Sequence, residues 1–189
     1  KPKSLVESDY LLGVYDCHRM GGLRFKLNEN GNFLNEDSNM AAPPWVSLRE
    51  LENASRKFEE DNIEDSEYLK WVDLLIAPGA SLGGARPKAS VRDEKGQLWI
   101  AKFPSLNDDK NMGAWEMVVS ELAAMADINL PTNEIAQFNS KYHTFMTKRF
   151  DRNNVGRRIH FASAMTLLGL VDGSASDTGV SYLDLVTFI

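Results

Sequence analysis

The sequence predicts an α+β protein in which a small antiparallel sheet packs against a helix. Three observations on the 189-residue chain lead to this fold class. Short segments of alternating apolar and polar residues are separated by tight turns, as in antiparallel sheets. Longer segments carry apolar residues at helical spacing. The sequence contains no internal repeat and no low-complexity tract, which argues against a solenoid or a disordered chain.

Composition narrows the class of protein further. With 43% hydrophobic residues, the chain is able to bury a core. It has 27 acidic and 21 basic residues, a formal net charge of −6, which disfavours direct binding to a nucleic-acid backbone. The sequence has no run of about 18 apolar residues and no apolar stretch typical of a signal peptide, so we expect a cytoplasmic protein.

The single cysteine and the three histidines predict no metal site. Cys17 excludes an internal disulfide, and His18, His143 and His160 lack metal-ligand spacing, which disfavours a metal-dependent hydrolase. Cys17 and His18 are adjacent, but neighbours in a strand point to opposite faces. We therefore interpret this pair as packing residues.

The first predicted segment, residues 1–45, is rich in strands. Between Tyr10 and Leu34, β-branched and aromatic residues flank the turn NENGN. This pattern predicts short strands joined by a tight turn.

The second predicted segment, residues 46–78, contains two helices. Ser47 followed by Glu50 predicts a capping box at the start of the first helix. The second helix is predicted over residues 65–76, where apolar side chains have helical spacing and Pro78 ends the run.

The third predicted segment, residues 79–150, opens on a glycine-rich loop, GASLGGARPKA. This loop either presents backbone N–H groups to an anion or forms a flexible turn. Residues 88–103 then predict strand, turn and strand. Alternation places Lys102 on one face with apolar side chains, where it is either a snorkelling surface lysine or one drawn inward by a negative ligand.

Residues 111–131, NMGAWEMVVSELAAMADINLP, predict a helix with a buried apolar stripe. The stripe comprises Trp115, Val118, Val119, Leu122 and Met125. Glu116 lies at its margin, where a glutamate is either solvated or able to reach a lysine on a facing strand. Two more strands are predicted, in residues 133–138 and 142–150.

The fourth predicted segment, residues 151–189, is a connector followed by the first helices of a helical lobe. It continues a basic run, TKRFDRNNVGRR, which is either a local positive patch or a solvated hairpin, and we favour the hairpin. The basic residues of the run are Lys148, Arg149, Arg152, Arg157 and Arg158.

These features follow the order found in the small lobe of protein kinases. A glycine-rich loop is followed by a strand lysine, Lys102, then by a helix glutamate, Glu116, and then by two strands that lead to a connector, residues 148–151. ATP phosphates need N–H donors and a lysine, and a glutamate holds that lysine in place. The backbone of the connector would then hydrogen-bond adenine. A Walker loop and a dinucleotide fingerprint are both excluded by their missing residues.

The stretches SLGGARPKA, WIAKFP, INLP, MTKRFDR and RRIHFASAMTLLG closely resemble, in this order, the HipA family of bacterial serine/threonine kinases. These kinases are the toxins of HipA–HipB-type modules. The resemblance implies a nucleotide site formed by Ser81, Leu82, Gly83, Gly84, Ala85, Lys88, Lys102, Glu116, Lys148, Arg149 and Phe150. It also implies that Ser81 is a regulatory phosphorylation site, because a phosphoserine adds about −1.5 to −2 charge where ATP phosphates bind.

The resemblance implies ATP as the cofactor, with Mg²⁺ held by residues of the large lobe. The sequence lacks the family's H-x-x-D-x-x-x-x-N motif and its metal-binding aspartate, so we assign no catalytic and no metal residue and expect an inactive fragment. The implied partners are a HipB-like helix-turn-helix antitoxin and a protein substrate, in the family often an aminoacyl-tRNA synthetase. Direct contact with nucleic acid or a membrane is not expected. The alternative is a non-catalytic, kinase-like domain that binds an antitoxin or another protein.

Overall fold

A four-stranded antiparallel sheet is the centre of the fold. The computed structural model describes residues 6–36, 41, 43–60, 75, 82–84, 86–171, 173–174 and 179–188. The strands are β1 (Lys88–Arg92), β2 (Leu98–Lys102), β3 (Asn133–Ala136) and β4 (Thr144–Lys148). They lie in the order β1-β2-β4-β3, and every neighbouring pair is antiparallel. The predicted α+β class and the four strands predicted from residue 88 onward are confirmed, whereas the division into four segments stays a prediction.

The described residues form five α-helices and two short 3₁₀ turns. The helices are α1 (Glu7–Gly13), α2 (Leu48–Glu59), α3 (Met112–Met125), α4 (Ala164–Leu167) and α5 (Tyr182–Phe188). The 3₁₀ turns are Asp16–His18 and Trp45–Ser47. Helix α3 begins after Asn111, whose side-chain oxygen accepts a hydrogen bond from the Ala114 N–H at 3.2 Å.

The hydrophobic core lies between α2 and one face of the sheet. It is formed by Leu48, Leu51, Ala89, Val91, Trp99, Ala101, Phe103 and Met146. The predicted alternation along β2 is confirmed, because Trp99, Ala101 and Phe103 share this buried face. The Trp45 ring packs edge-on against Trp99, with centroids 5.1 Å apart. Burial of each large apolar side chain here contributes about 1.5–3 kcal/mol.

The predicted strands of the first segment are not formed. Helix α1 occupies its beginning, and one isolated antiparallel bridge, Lys26 to Phe33, spans the predicted turn. The Arg19 guanidinium donates to the carbonyls of Leu11 and Leu12, at 2.5 and 2.9 Å, and so satisfies the end of α1. This tertiary contact outweighs the local strand preference.

Helix α2 begins after Ser47 as predicted, but the predicted capping box is wrong. The Ser47 side chain makes no cap hydrogen bond, because the preceding 3₁₀ turn leads directly into the helix. The helix predicted over residues 65–76 lies outside the described residues except for Leu75, which is helical and packs against the core.

The apolar stripe of α3 is exposed, contrary to the prediction that it packs on the sheet. Trp115 is 57% exposed and Met125 is 81% exposed. The helix instead approaches the sheet through Gly113, where an added Cβ would lie 2.9 Å from the His143 carbonyl carbon. The helix face turned toward the sheet includes Glu116, which meets Lys102 on that sheet face.

Candidate functional site

A lysine and a glutamate meet on the sheet face opposite α2. Lys102 Nζ lies 2.5 Å from Glu116 Oε2, which joins β2 to α3. The side chains are 32% and 30% exposed, so the pair lies at the edge of solvent. The ammonium group of Lys102 also lies 5.4 Å from the centroid of the Phe145 ring. Of the two interpretations of Glu116, the structure therefore supports the one in which it reaches the lysine.

The first turn of α3 is fixed by hydrogen bonds to the residue before β4. Asn111 Oδ1 accepts from the His143 N–H at 3.0 Å, and Asn111 Nδ2 lies 2.7 Å from His143 Nδ1. Gly113 allows the close approach, because any larger residue would meet the His143 backbone. Glu116 is one turn further along the helix, so these contacts set its distance from Lys102.

A second lysine, Lys88, binds the glycine-rich loop. Its Nζ donates to the carbonyls of Gly83 and Gly84 at 2.6 and 2.8 Å. The register places Lys88 directly opposite Lys102, so both ammonium groups project from the same face. Burial, together with the positive charges of Lys102 and Arg86, lowers the pKa of Lys88 below its usual value.

The two loop glycines adopt backbone conformations that other residues rarely adopt. Gly83 has φ of +61° and Gly84 has φ of +77°. The predicted site residue Leu82 is half-buried beside them, whereas Ser81 and Ala85 lie outside the described residues. Positive φ at both glycines lets their carbonyls turn toward one ammonium group.

The loop is followed by an arginine that fixes its C-terminal end. Arg86 Nη1 lies 2.9 Å from Asp108 Oδ1, and Arg86 Nη2 contacts the other carboxylate oxygen. Asp108 also accepts from the Ser105 N–H at 2.9 Å. This paired contact anchors the start of β1 to the segment after β2.

The connector residues assigned to the nucleotide site, Lys148–Phe150, lie at the other end of β2 from Lys102. The register pairs Lys148 with Trp99, whereas Lys102 is opposite Phe145. The N–H groups of Lys148 and Arg149 donate to carbonyls of the sheet and its flanks at 2.9 and 3.0 Å. Within the described part of the chain, the Phe150 N–H has no backbone acceptor.

The basic run after β4 forms the predicted hairpin, but the prediction that it is solvated is wrong for its base. Arg152 and Arg158 form an antiparallel bridge, and the Asn153 N–H donates to the Arg157 carbonyl at 3.0 Å. Arg149 is only 2% exposed. The base of the hairpin is therefore buried, while Arg157 at its turn is exposed.

Asp151 accounts for the burial of these arginines. Its carboxylate accepts from Arg149 Nε at 2.8 Å, Arg149 Nη2 at 2.6 Å, Arg152 Nη1 at 2.7 Å and the Gly21 N–H at 2.7 Å. Burial raises the pKa of Asp151, but the hydrogen bonds and positive charge of Arg149, with those of Gly21 and Arg152, hold it below its usual value. Asp151 is therefore an ionised, fully satisfied carboxylate.

A second buried carboxylate, Asp16, joins the N-terminal segment to the same cluster. Its Oδ2 lies 2.9 Å from Arg24 Nε and 3.2 Å from Arg158 Nη2. Arg158 also donates to the Gly21 carbonyl at 3.2 Å. The sequence analysis missed Asp16 and Asp151 as ion-pair centres, although five nearby arginines needed carboxylate partners.

His18 is buried next to the arginines. Burial, together with the charges of Arg149, Arg92 and Arg152, lowers the pKa of His18 to about 3. Cys17 beside it is exposed. The interpretation of this pair as packing residues therefore holds for His18 and is wrong for Cys17.

In the part of the chain that the structure describes, no helix combines the length and apolar character that a membrane crossing requires. No three His, Cys, Asp or Glu side chains within it are grouped in a way that would hold a metal ion.

A family model, the HipA-like C-terminal domain, matches residues 80–189. This match covers more than half of the chain and includes the described part of the glycine-rich loop, Lys102, Glu116 and the connector. Neither the comparison with curated proteins nor that with solved structures found a match.

Proposed function

This chain belongs to the HipA-like family, and from that premise we propose that its sheet and α3 form the ATP-binding lobe of a serine/threonine protein kinase. The observation that carries the proposal is the 2.5 Å ion pair between Lys102 and Glu116 beside the glycine-rich loop. A glutamate-held lysine supplies a fixed positive charge for phosphate oxygens. Family membership places the protein in a toxin–antitoxin context.

The two ends of β2 fit the two ends of an extended nucleotide. Strand β2 has five residues, and at a rise of about 3.4 Å per residue it separates the connector from Lys102 by about 14 Å. Phosphates would then lie beside Lys102, and adenine beside the connector. The Phe150 N–H is the best donor for adenine, because those of Lys148 and Arg149 already bond within the protein.

Lys88 would act as the second phosphate ligand. Its ammonium group donates hydrogen bonds to two loop carbonyls, those of Gly83 and Gly84. A phosphate offers stronger, charged acceptors in the same place, so Lys88 would exchange the carbonyls for it. Phosphorylation of Ser81 would add a competing negative charge to this loop and weaken ATP binding.

The residues present suit ATP phosphates better than they suit a metal ion. Two lysines project from one face, whereas the site carboxylate described there, Glu116, is already paired with Lys102. Mg²⁺ would therefore be held by aspartates that we do not assign in this chain. ATP would supply the γ-phosphoryl group, and the acceptor would be a serine or threonine of a protein, such as an aminoacyl-tRNA synthetase.

Family membership also suggests the binding partner. We infer that a HipB-like helix-turn-helix antitoxin binds the full protein. Because the chain has a net charge of −6, any DNA contact would come mainly through that antitoxin.

Isothermal titration with a non-hydrolysable ATP analogue and magnesium tests the proposal. We expect saturable heat with the wild type and its loss in Lys102→Ala. Lys57→Ala is the matched control, because Lys57 is exposed on α2, on the other side of the sheet. Equal binding by Lys102→Ala and Lys57→Ala would contradict the assignment of Lys102, and absence of heat in the wild type would contradict ATP binding by this chain.

The exposed stripe of α3 favours a second candidate function, a non-catalytic interaction domain. Trp115, Val119 and Leu122 are each more than half exposed. Contiguous exposed apolar side chains mark protein contact surfaces. Under this alternative, Val119→Asp would abolish binding of the antitoxin, and Lys102→Ala would leave that binding intact.

A further inference from the structure

A cavity of about 440 Å³ lies at the end of the sheet opposite Lys102. It opens between the turn that joins β1 to β2 and the hairpin that follows β4. Six cationic side chains line it: Arg92, Lys95, Lys148, Arg149, Arg152 and Arg158. No aspartate or glutamate of the described chain belongs to this lining, so the cavity is strongly positive.

The arginines below the cavity outnumber their carboxylate partners. Asp16 and Asp151 are paired with Arg19, Arg24, Arg149, Arg152 and Arg158. Two carboxylates facing five guanidinium groups leave three positive charges without a carboxylate partner, and of these five arginines Arg149, Arg152 and Arg158 line the cavity. Burial first, and then the charge of Arg149, lower the pKa of Arg152 to about 10. Excess buried positive charge attracts an anion.

Three cations at the wall keep hydrogen-bond donors for a ligand. The Arg92 guanidinium donates to the Gly96 carbonyl at 3.2 Å through one of its nitrogens. Lys148 Nζ lies 2.9 Å from Asn154 Oδ1. Lys95 is exposed, and none of the hydrogen bonds between described residues uses its ammonium group.

The same turn carries two carboxylates, Asp93 and Glu94, which line a neighbouring groove together with Lys95 and Lys148. Asp93 accepts from Trp99 Nε1 at 2.9 Å and from the Gln97 and Lys95 N–H groups at 2.8 and 2.9 Å. These bonds fix Asp93 on the side of Trp99. The charges of Asp93 and Lys148 interact, but none of the hydrogen bonds of Asp93 uses the side chains of Arg92, Lys95 or Lys148. These side chains therefore keep donors for an external anion.

We propose that this cavity binds a phosphorylated small molecule through Arg92, Lys95 and Lys148. A phosphate carries up to two negative charges and several acceptor oxygens, so it satisfies more of these cations than a single carboxylate does. The cavity is much larger than one phosphate group. The Gln97 side chain and the apolar Leu98 side chain also line it and offer contacts to the rest of the ligand.

The cavity is separate from the phosphate end of the proposed nucleotide site. Its lining includes neither Lys88 nor Lys102, and neither Gly83 nor Gly84. It shares only the connector residues Lys148 and Arg149 with the predicted site residues. The proposal therefore does not depend on ATP binding, and one variant distinguishes the two sites.

Titration of the full chain with inorganic pyrophosphate, followed by calorimetry and ³¹P NMR, tests the proposal. We expect saturable binding that weakens with added salt. Lys95→Gln and Arg92→Gln should each weaken binding by about tenfold. Lys57→Gln, which removes the same charge from an exposed site on α2, should leave the affinity unchanged.

Lys102→Ala supplies the second control. Pyrophosphate also suits the proposed site of the ATP phosphates, so the cavity is identified by the binding that persists in this variant. Loss of binding in Lys102→Ala, with normal binding in Lys95→Gln, would overturn the proposal and place the anion at the glycine-rich loop. No saturable binding, or equal affinity in Lys95→Gln and Lys57→Gln, would overturn it as well. If circular dichroism shows that Arg92→Gln does not fold, the affinity of Lys95→Gln decides, because Lys95 is exposed.

Discussion

The two ion-pair regions at opposite ends of the sheet differ in their access to water. Lys102 and Glu116 are each about one-third exposed, whereas Arg149 and Asp151 have no exposed side-chain area. Exposed pairs contribute little to stability, while breaking a buried pair leaves an uncompensated charge. The difference agrees with the proposed roles, in which the first pair meets a ligand and the second holds two chain segments together.

The buried region also connects distant parts of the sequence. Arg149 donates to the carbonyls of His18 and Arg19 at 2.8 and 3.1 Å. The connector is therefore held by the N-terminal segment as well as by the sheet. The Lys102 region, by contrast, joins elements that are close in sequence, β2 and α3.

Asp151→Asn should cause the largest loss of stability. It leaves Arg149 and Arg152 buried without their carboxylate, which costs about 3–5 kcal/mol. Urea unfolding measures this change. Asp109→Asn, at an exposed position, is the control and should change stability by less than about 0.5 kcal/mol. Similar losses for both variants would remove the distinction between the two regions.

Lowering the pH should destabilise the buried region through His18. Folded His18 stays neutral until the pH approaches 3, whereas unfolded histidine gains a proton near 6.5. The unfolded state then binds more protons, so stability falls as the pH falls between these values. From pH 7 to 5 we expect a loss of about 2 kcal/mol. Urea unfolding at both pH values measures this loss of stability. The loss should persist in the control variant His160→Gln, because His160 is exposed. It should disappear in His18→Asn.

Glu116→Gln should separate binding from stability. This partly exposed pair contributes under about 1 kcal/mol to folding. Its loss frees Lys102 to move, so affinity for the ATP analogue should fall by about tenfold. Thermal unfolding and calorimetry on one sample check both values. A large drop in melting temperature with unchanged affinity would reverse the roles of the two regions.

Met125→Gln should have the smallest effect. The Met125 side chain is 81% exposed, so replacing it should change stability by less than about 0.5 kcal/mol. Met146→Ala is the matched comparison, because Met146 is 1% exposed and its truncation should cost about 2–5 kcal/mol. Equal losses of unfolding free energy in Met125→Gln and Met146→Ala, measured by chemical unfolding, would show that the stripe of α3 is covered.

Local patterns were sufficient where an element's neighbours are close in sequence. Strands β1 and β2 are joined by a short turn, and their alternation correctly placed Trp99 and Lys102 on opposite faces. The order of loop, lysine and glutamate likewise anticipated the 2.5 Å pair of Lys102 with Glu116. The N-terminal segment was predicted wrongly, because Arg19 closes α1 and Asp16 is paired with Arg158, which lies 142 positions away.

The sequence by itself determined the strands of the sheet, the apolar face of its core and the order of the candidate nucleotide residues. Each of these follows from side-chain periodicity or from residue type within a short window. Only the tertiary structure decided that Arg149 and Asp151 are buried, that the stripe of α3 is exposed and that basic residues surround a cavity. Burial and charge balance depend on which distant segments meet, and a local sequence pattern does not specify that contact.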